Sequence, residues 1–224
     1  MPSRRTTGLR PAQFTTLLAL LTNTLTWNTP NTKPHKLTLT QGLKATLLYL
    51  RQNQTEEFLA EDFGVSQPTI SRILNKIETA LLHVLAPAVP PIPETLLQSS
   101  GTVIVDGTLV PTYPVPGAHH DTFAYRWHGL DRFLDPHDTL ADKGYQGLDL
   151  ITPVKKLPGG ELTDDEKHLN RHINHHRVVI ERVIAHFKCW RVLSSIFRRP
   201  LTSYRRVFSV VRALFFWIQN HPNE

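Results

Sequence analysis

The sequence predicts an all-α N-terminal domain followed by an α/β domain. Three observations carry this reading. Apolar residues before position 85 recur at helical spacing. Ala86–Pro93, APAVPPIP, then puts four prolines into eight residues, which suits an extended linker and no regular helix. Beyond it, Thr102–Val110, TVIVDGTLV, is a β-branched apolar run of strand type. The expected division is a helical domain over 1–85, a linker over 86–98 and an α/β domain over 99–224.

Composition narrows the function classes. A chain of 224 residues can bury a core of its own. The net charge of +6 points to a polyanionic partner. The single cysteine, Cys189, excludes an internal disulfide framework and fits a reducing cytosol. No apolar window is long enough to span a bilayer, and Leu17–Leu21 is too short for a secretory core. The expected location is therefore the cytoplasm, with no membrane partner.

In chain order, Met1–Arg10 is basic and reads as loose. Pro11 opens a helix through Phe14, Leu17, Leu18 and Leu21, and residues 28–36 are a loop. Thr40–Arg51 is a second helix with Leu43, Leu47 and Leu50 on one face. Residues 55–82 hold the first specific signal. Thr55 can cap a helix over Glu56 and Glu57, Gly64 makes a turn, and Ser66 with Pro68 opens another helix. Ala60, Gly64, Ile70 and Ile73 fall where a helix-turn-helix needs a small contact, a turn and two anchors. Its second helix would show Gln67, Thr69, Ser71, Arg72 and Asn75 to the major groove of double-stranded DNA. The plainer reading is an ordinary pair of antiparallel helices. The exposed positions favour DNA, being base-reading types and not Glu/Lys filler.

In the second domain, Asp106 interrupts the apolar strand. A carboxylate there is costly unless it is paired or holds a cation. The plain alternative is a strand-end Asp bonded to nearby N–H groups. Asp121–Leu134 reads as a helix, with Phe123, Trp127, Leu130 and Leu134 on one face. Asp142 follows a short apolar lead and precedes Gly144 and Gly147; Ile151–Lys156 reads as another strand. A long helix runs from Asp165 to about Leu193. At 100° per residue, Arg177, Glu181 and Lys188 fall within about 40° of one another, beside a stripe of Ile180, Ile184 and Phe187. A surface pair, Arg177 with Glu181, would explain that helix alone. It would not explain three isolated carboxylates, each beside a core-forming stretch.

VDGT around Asp106, DKGY around Asp142 and Arg177-x3-Glu181-x6-Lys188 resemble the three acidic motifs of DDE-superfamily transposases. The likeness points to the enzymes of bacterial insertion sequences related to the Harbinger group. It covers roughly 41–193 and includes the helix-turn-helix. The family often has Tyr three residues before the Arg, where this chain has Asn174. The resemblance implies an RNase H-like catalytic domain in which Asp106, Asp142 and Glu181 hold two Mg²⁺ or Mn²⁺ ions. Arg177 and Lys188 would contact phosphates near the cut. It also implies the ends of a mobile element, its terminal inverted repeats, as the DNA bound by a homo-oligomer. The family's sheet has two strands between the first Asp strand and the helix before the second Asp. Here only Pro111–His120, PTYPVPGAHH, is left over, so the domain is expected to lack strands two and three.

His168, His172 and His176 repeat at i+4. His172 and His176 fall on the far side of the helix from Glu181, and no Cys or carboxylate completes a zinc set. Solvated or phosphate-facing histidines are expected. From Arg182 to Asn223 there is no Asp or Glu against eight Lys/Arg, which suits a track for a DNA backbone. Val207, Val211, Leu214, Phe215 and Ile218 within it form a core stripe. Three readings follow: an impaired DDE transposase, a non-enzymatic DNA-binding remnant that represses transposition, and a basic interaction protein without a DNA role.

Overall fold

The computed structural model describes residues 3–31, 33–91, 103–105, 121–127 and 129–222, which fall into two compact units. The described residues of 1–89 and of 186–224 make the first unit. Those of 90–185 make the second.

The first unit is helical. It comprises α1 (Arg4–Thr7), α2 (Pro11–Thr24), α3 (Leu39–Gln52), α4 (Glu56–Phe63), α5 (Gln67–Leu85), a short α8 (Arg191–Ser194) and α9 (Tyr204–Asn220). Within the stretch read as loose, residues 3–10 pack against the helical unit. Leu9 is fully buried, and Gln52 Nε2 holds Arg5 O at 2.7 Å. Gly8 carries this turn at φ +82°, and a Cβ there would come within 2.6 Å of the Trp190 ring. The proline stretch opens with a 3₁₀ turn, Ala86–Ala88, and is not extended from its first residue.

Local signals explain α4 and α5. Phe58 N donates to Thr55 Oγ1 at 3.1 Å, so the cap is made. Gly64, at φ +64°, ends α4 in the left-handed region, where a side chain is strained. Ile70, Ile73, Leu74 and Ile77 then bury one face of α5 in a core shared with Leu43, Leu47, Leu50 and Leu59. Burial at this level stabilises by about 1.5–3 kcal/mol per large aliphatic side chain.

The described residues of 186–222 belong with these helices, not with the α/β domain as the proline boundary implied. The reason is packing. Val207, Val210, Val211, Leu214 and Trp217 of α9 are buried in the same core, and α9 lies against α5. Phe215 and Ile218, expected on this stripe, are only partly buried.

Glu78 sits on the α5 face turned to this segment and is fully buried. Arg199 Nη1 reaches its Oε1 at 2.5 Å, and Arg206 Nε its Oε2 at 2.9 Å. Arg199 also lies 3.5 Å from Glu56 Oε1 and over the Tyr49 ring, 5.4 Å from its centroid. Burial works to lower the pKa of Arg199, but Glu78, with Tyr49 and Glu56, leaves it raised.

The second unit has little regular structure among its described residues. β1 (Val103–Ile104) pairs in parallel with β2 (Thr139–Leu140), Val103 opposite Thr139 and Ile104 opposite Leu140. Val105 N continues the ladder to Leu140 O at 2.8 Å. The expected strand over 151–156 reduces to a single bridge from Leu140 to Ile151. Beyond it, Val154 bonds a side chain: its N–H donates to Asn170 Oδ1 at 2.7 Å, and Asn170 Nδ2 donates back to Val154 O at 3.0 Å.

α6 (Asp121–Trp127) is shorter than the helix expected to Leu134, because Gly129 turns the chain at φ +68° into a 3₁₀ turn, Leu130–Arg132. Phe123 and Trp127 consequently stay exposed and stack on each other at 5.6 Å. The core here is Tyr125, Leu134, Ala141, Tyr145 and Leu150. α7 (Asp164–Lys188) ends before the expected Leu193. Trp190 breaks it by taking an extended conformation and burying its ring.

Two predictions follow from the helical unit. Glu78→Ala leaves two guanidinium groups without their buried anion, and should cost about 3–5 kcal/mol of unfolding free energy. Urea titration checks this, and a loss under about 1 kcal/mol contradicts it. Burial also pushes the phenols of Tyr49 and Tyr204 up to about 12. Their neutral forms are favoured by folding, so this stability is intact below the ordinary value of about 10 and is lost as pH rises toward 12. Unfolding free energy should fall over that window by at most about 2–3 kcal/mol per tyrosine, and Tyr49→Phe with Tyr204→Phe should remove most of the fall.

Candidate DNA-reading and catalytic residues

The turn at Gly64 and the cap at Thr55 set α4 and α5 as a helix-turn-helix pair. Ser66 occupies the cap position without bonding the backbone; its hydroxyl instead pairs with Thr69 Oγ1 at 2.9 Å. The residues expected to read DNA have different surroundings. Arg72 is exposed, and Thr69 and Ser71 are partly so. Gln67 donates Nε2 to Glu56 Oε2. Asn75 Oδ1 accepts from Arg199 Nη2 at 2.5 Å and from Arg206 Nη2. Gln67, Ser71 and Asn75 line one wall of an open cavity of about 740 Å³. Arg198, Thr202 and Arg206 line another wall. Two of the eight cations of the C-terminal stretch are thus turned inward to Glu78 and Asn75, and are not free for a phosphate track.

Asp106 lies outside the described residues, as does the stretch read as missing two strands. Val105, one residue before Asp106, is paired to Leu140, and Asp142 follows that same strand by two residues. Asp142 is partly exposed and caps the turn Lys143–Tyr145, its Oδ1 accepting from Gly144 N at 2.8 Å. Tyr145, of DKGY, is buried edge-on against Tyr125 at 6.1 Å. So the motif's tyrosine anchors a turn whose first residue is the carboxylate.

Glu181 stands on α7 with its side chain 56% exposed, 4.0 Å from Arg177 Nη2. It is not at the edge of a buried face as expected: Ile180 and Ile184 beside it are themselves partly exposed. Lys188 is exposed, and its carbonyl accepts from Ser194 Oγ at 2.8 Å. Carboxylates of this kind suit hard cations such as Mg²⁺. Among the described residues, no three His, Cys, Asp or Glu side chains are grouped to hold a metal ion. His168, His172 and His176 are exposed, and the rings of His172 and His176 meet edge-on at 4.7 Å.

Sequence reasoning missed two residues. Asn170, 9% exposed, clamps the segment after DKGY to the helix that carries Glu181. Glu78 anchors the arginines that hold Asn75. Neither carries a local signal, since an Asn or Glu in a helix reads as surface.

Residues 35–87 match the model of the helix-turn-helix of DDE superfamily endonucleases, and residues 106–215 match the DDE superfamily endonuclease model. A protein of Microchaete diplosiphon named as a transposase for insertion sequence element IS702 is 26% identical over 212 residues, covering 75% of this chain and 76% of its own. Another, from Streptomyces albus G and named as a transposase for insertion sequence element IS112, is 26% identical over 220 residues, covering 83% of each chain. No solved structure matches. No described helix is long and apolar enough to cross a membrane. With both family models matched in order along one chain, and transposases matched over most of their length, the chain belongs to the DDE superfamily of insertion-sequence transposases.

Proposed function

We propose that this chain binds the terminal inverted repeats of an insertion sequence through α4 and α5. It carries a two-metal DDE site, made of Asp106, Asp142 and Glu181, on an RNase H-like domain. The observation that carries the reading is the order of the two matches, a DNA-binding motif and then an endonuclease whose match begins at Asp106 itself. Members of this superfamily generally use divalent metal ions, and Mg²⁺ or Mn²⁺ fits three carboxylates. The ions would activate water for strand nicking and then a DNA 3′-hydroxyl for strand transfer. Arg177 and Lys188 would contact phosphates beside the cut. The protein would act as a homo-oligomer in the cytoplasm, at the nucleoid.

The chain as written would be a poor catalyst, because its catalytic domain lacks strands two and three of the family's sheet. The lengths of the matches support this. Of 212 aligned positions in the first relative, 75% of 224 residues accounts for about 168, so about 44 positions face no residue of this chain. Without those strands the first Asp strand becomes an edge, with unpaired N–H and C=O groups. A looser Asp106 is costly, since about 1 Å of misplacement lowers a rate about a hundredfold. Specific DNA binding would survive, and the protein would occupy element ends and repress full-length copies.

Arg72→Ala should weaken binding to the cognate duplex by about 1–3 kcal/mol and leave the melting temperature unchanged. Ile70→Asp, by contrast, should unfold the helical unit. Unchanged affinity and selectivity in Arg72→Ala would show that α5 does not read the site. Nicking of supercoiled element DNA with Mg²⁺ or Mn²⁺ tests the catalytic reading. The chain should cut about a hundredfold more slowly than a version carrying a full-length relative's two strands after Thr112, and equal rates refute the deletion argument.

A further inference from the structure

Asn75 has already committed half of its carboxamide. Its Oδ1 accepts from Arg199 Nη2 at 2.5 Å and from Arg206 Nη2. A guanidinium group only donates, so the oxygen must face the two arginines, and two donors fill its two lone pairs. Turning the amide over would set N–H groups against N–H groups. The arginines cannot easily move away, because Glu78 is fully buried and holds Nη1 of Arg199 at 2.5 Å and Nε of Arg206 at 2.9 Å. The Asn75 side chain remains partly exposed and lines the open cavity beside Ser71 and Gln67. These three stand at i, i+4 and i+8, on one face of α5.

We propose that Asn75 is a donor-only reader of DNA, made so by Arg199 and Arg206. The proposal rests on α5 being the DNA-reading helix. An unconstrained Asn recognises adenine with both halves, its oxygen accepting from the N6 amino group and its nitrogen donating to N7. Asn75 offers only its Nδ2 hydrogens. It therefore keeps only the nitrogen half of that pairing, the contact from Nδ2 to the N7 of a purine, and does not sense the N6 amino group that marks adenine. The specificity of the recognition helix is thus set partly by residues of the endonuclease match more than a hundred positions away.

Binding of the full chain to its selected duplex tests this. One series of duplexes carries a 7-deazapurine at each purine in turn. The other lacks the N6 amino group at each adenine. At one purine, loss of N7 should weaken the wild-type chain about tenfold, the size of one good base contact. Loss of an N6 amino group should have no effect that depends on Asn75. Asn75→Asp keeps the two arginine contacts with a carboxylate, so its melting temperature should not fall. Its added charge lowers affinity for every duplex alike, but the N7 effect at that one purine should vanish. Full retention of the N7 effect in Asn75→Asp overturns the proposal, as does an N6 dependence that disappears with Asn75. If the wild-type chain shows no selectivity for any duplex, the DNA-reading assignment of α5 fails, and the proposal falls with it.

Discussion

The helical unit depends on one buried carboxylate. Glu78 stands in the middle of α5 with no exposed surface, where a lone charge would be untenable. Two arginines from the other end of the chain make it tenable, and in doing so bind residues 199–206 to the helix-turn-helix. Such a cluster does not by itself imply high stability, since an apolar triad of the same shape could do as well. Its effect is directional. A guanidinium fork accepts few geometries, so Glu78 and Asn75 fix where Arg199 and Arg206 lie, and these in turn fix α5 against the start of α9.

The second unit is held differently. Its described ladder is two residues long on each strand, so hydrogen bonding in the sheet contributes little. What keeps Asp142 in place is the turn it caps and the buried Tyr145 behind it. Asn170 joins the following segment to α7 by a pair of bonds in the manner of a missing strand partner. Side chains here supply what backbone pairing supplies in a larger sheet.

Much of the fold could be read from the chain because its signals are local. The cap at Thr55, the left-handed Gly64, the apolar spacing of Ile70, Ile73 and Ile77, and the turn residues after Asp142 all act within a few positions of where they stand. The features that escaped are those settled by distant partners. Glu78 and Asn75 look like surface residues until Arg199 and Arg206 arrive. Gly8 looks like part of a loose terminus until Trp190 packs on it. α6 stops early because Gly129 takes a positive φ, which a periodic pattern through Leu134 concealed. The three acidic motifs rest on resemblance; Asp142 stands on a capped turn and Glu181 on a helix, and Asp106 lies outside the described residues.

The Glu78 cluster also has a meaning in the order of synthesis. Its partners lie 121 and 128 residues further along the chain. A ribosome therefore finishes α4 and α5 long before it makes the residues that neutralise Glu78 and fix Asn75. Contacts so far apart in sequence form late, since the intervening loop must close first. A nascent chain carries α5 with an unmatched acid on it, and only a chain translated past Arg206 carries both of the cations that match it.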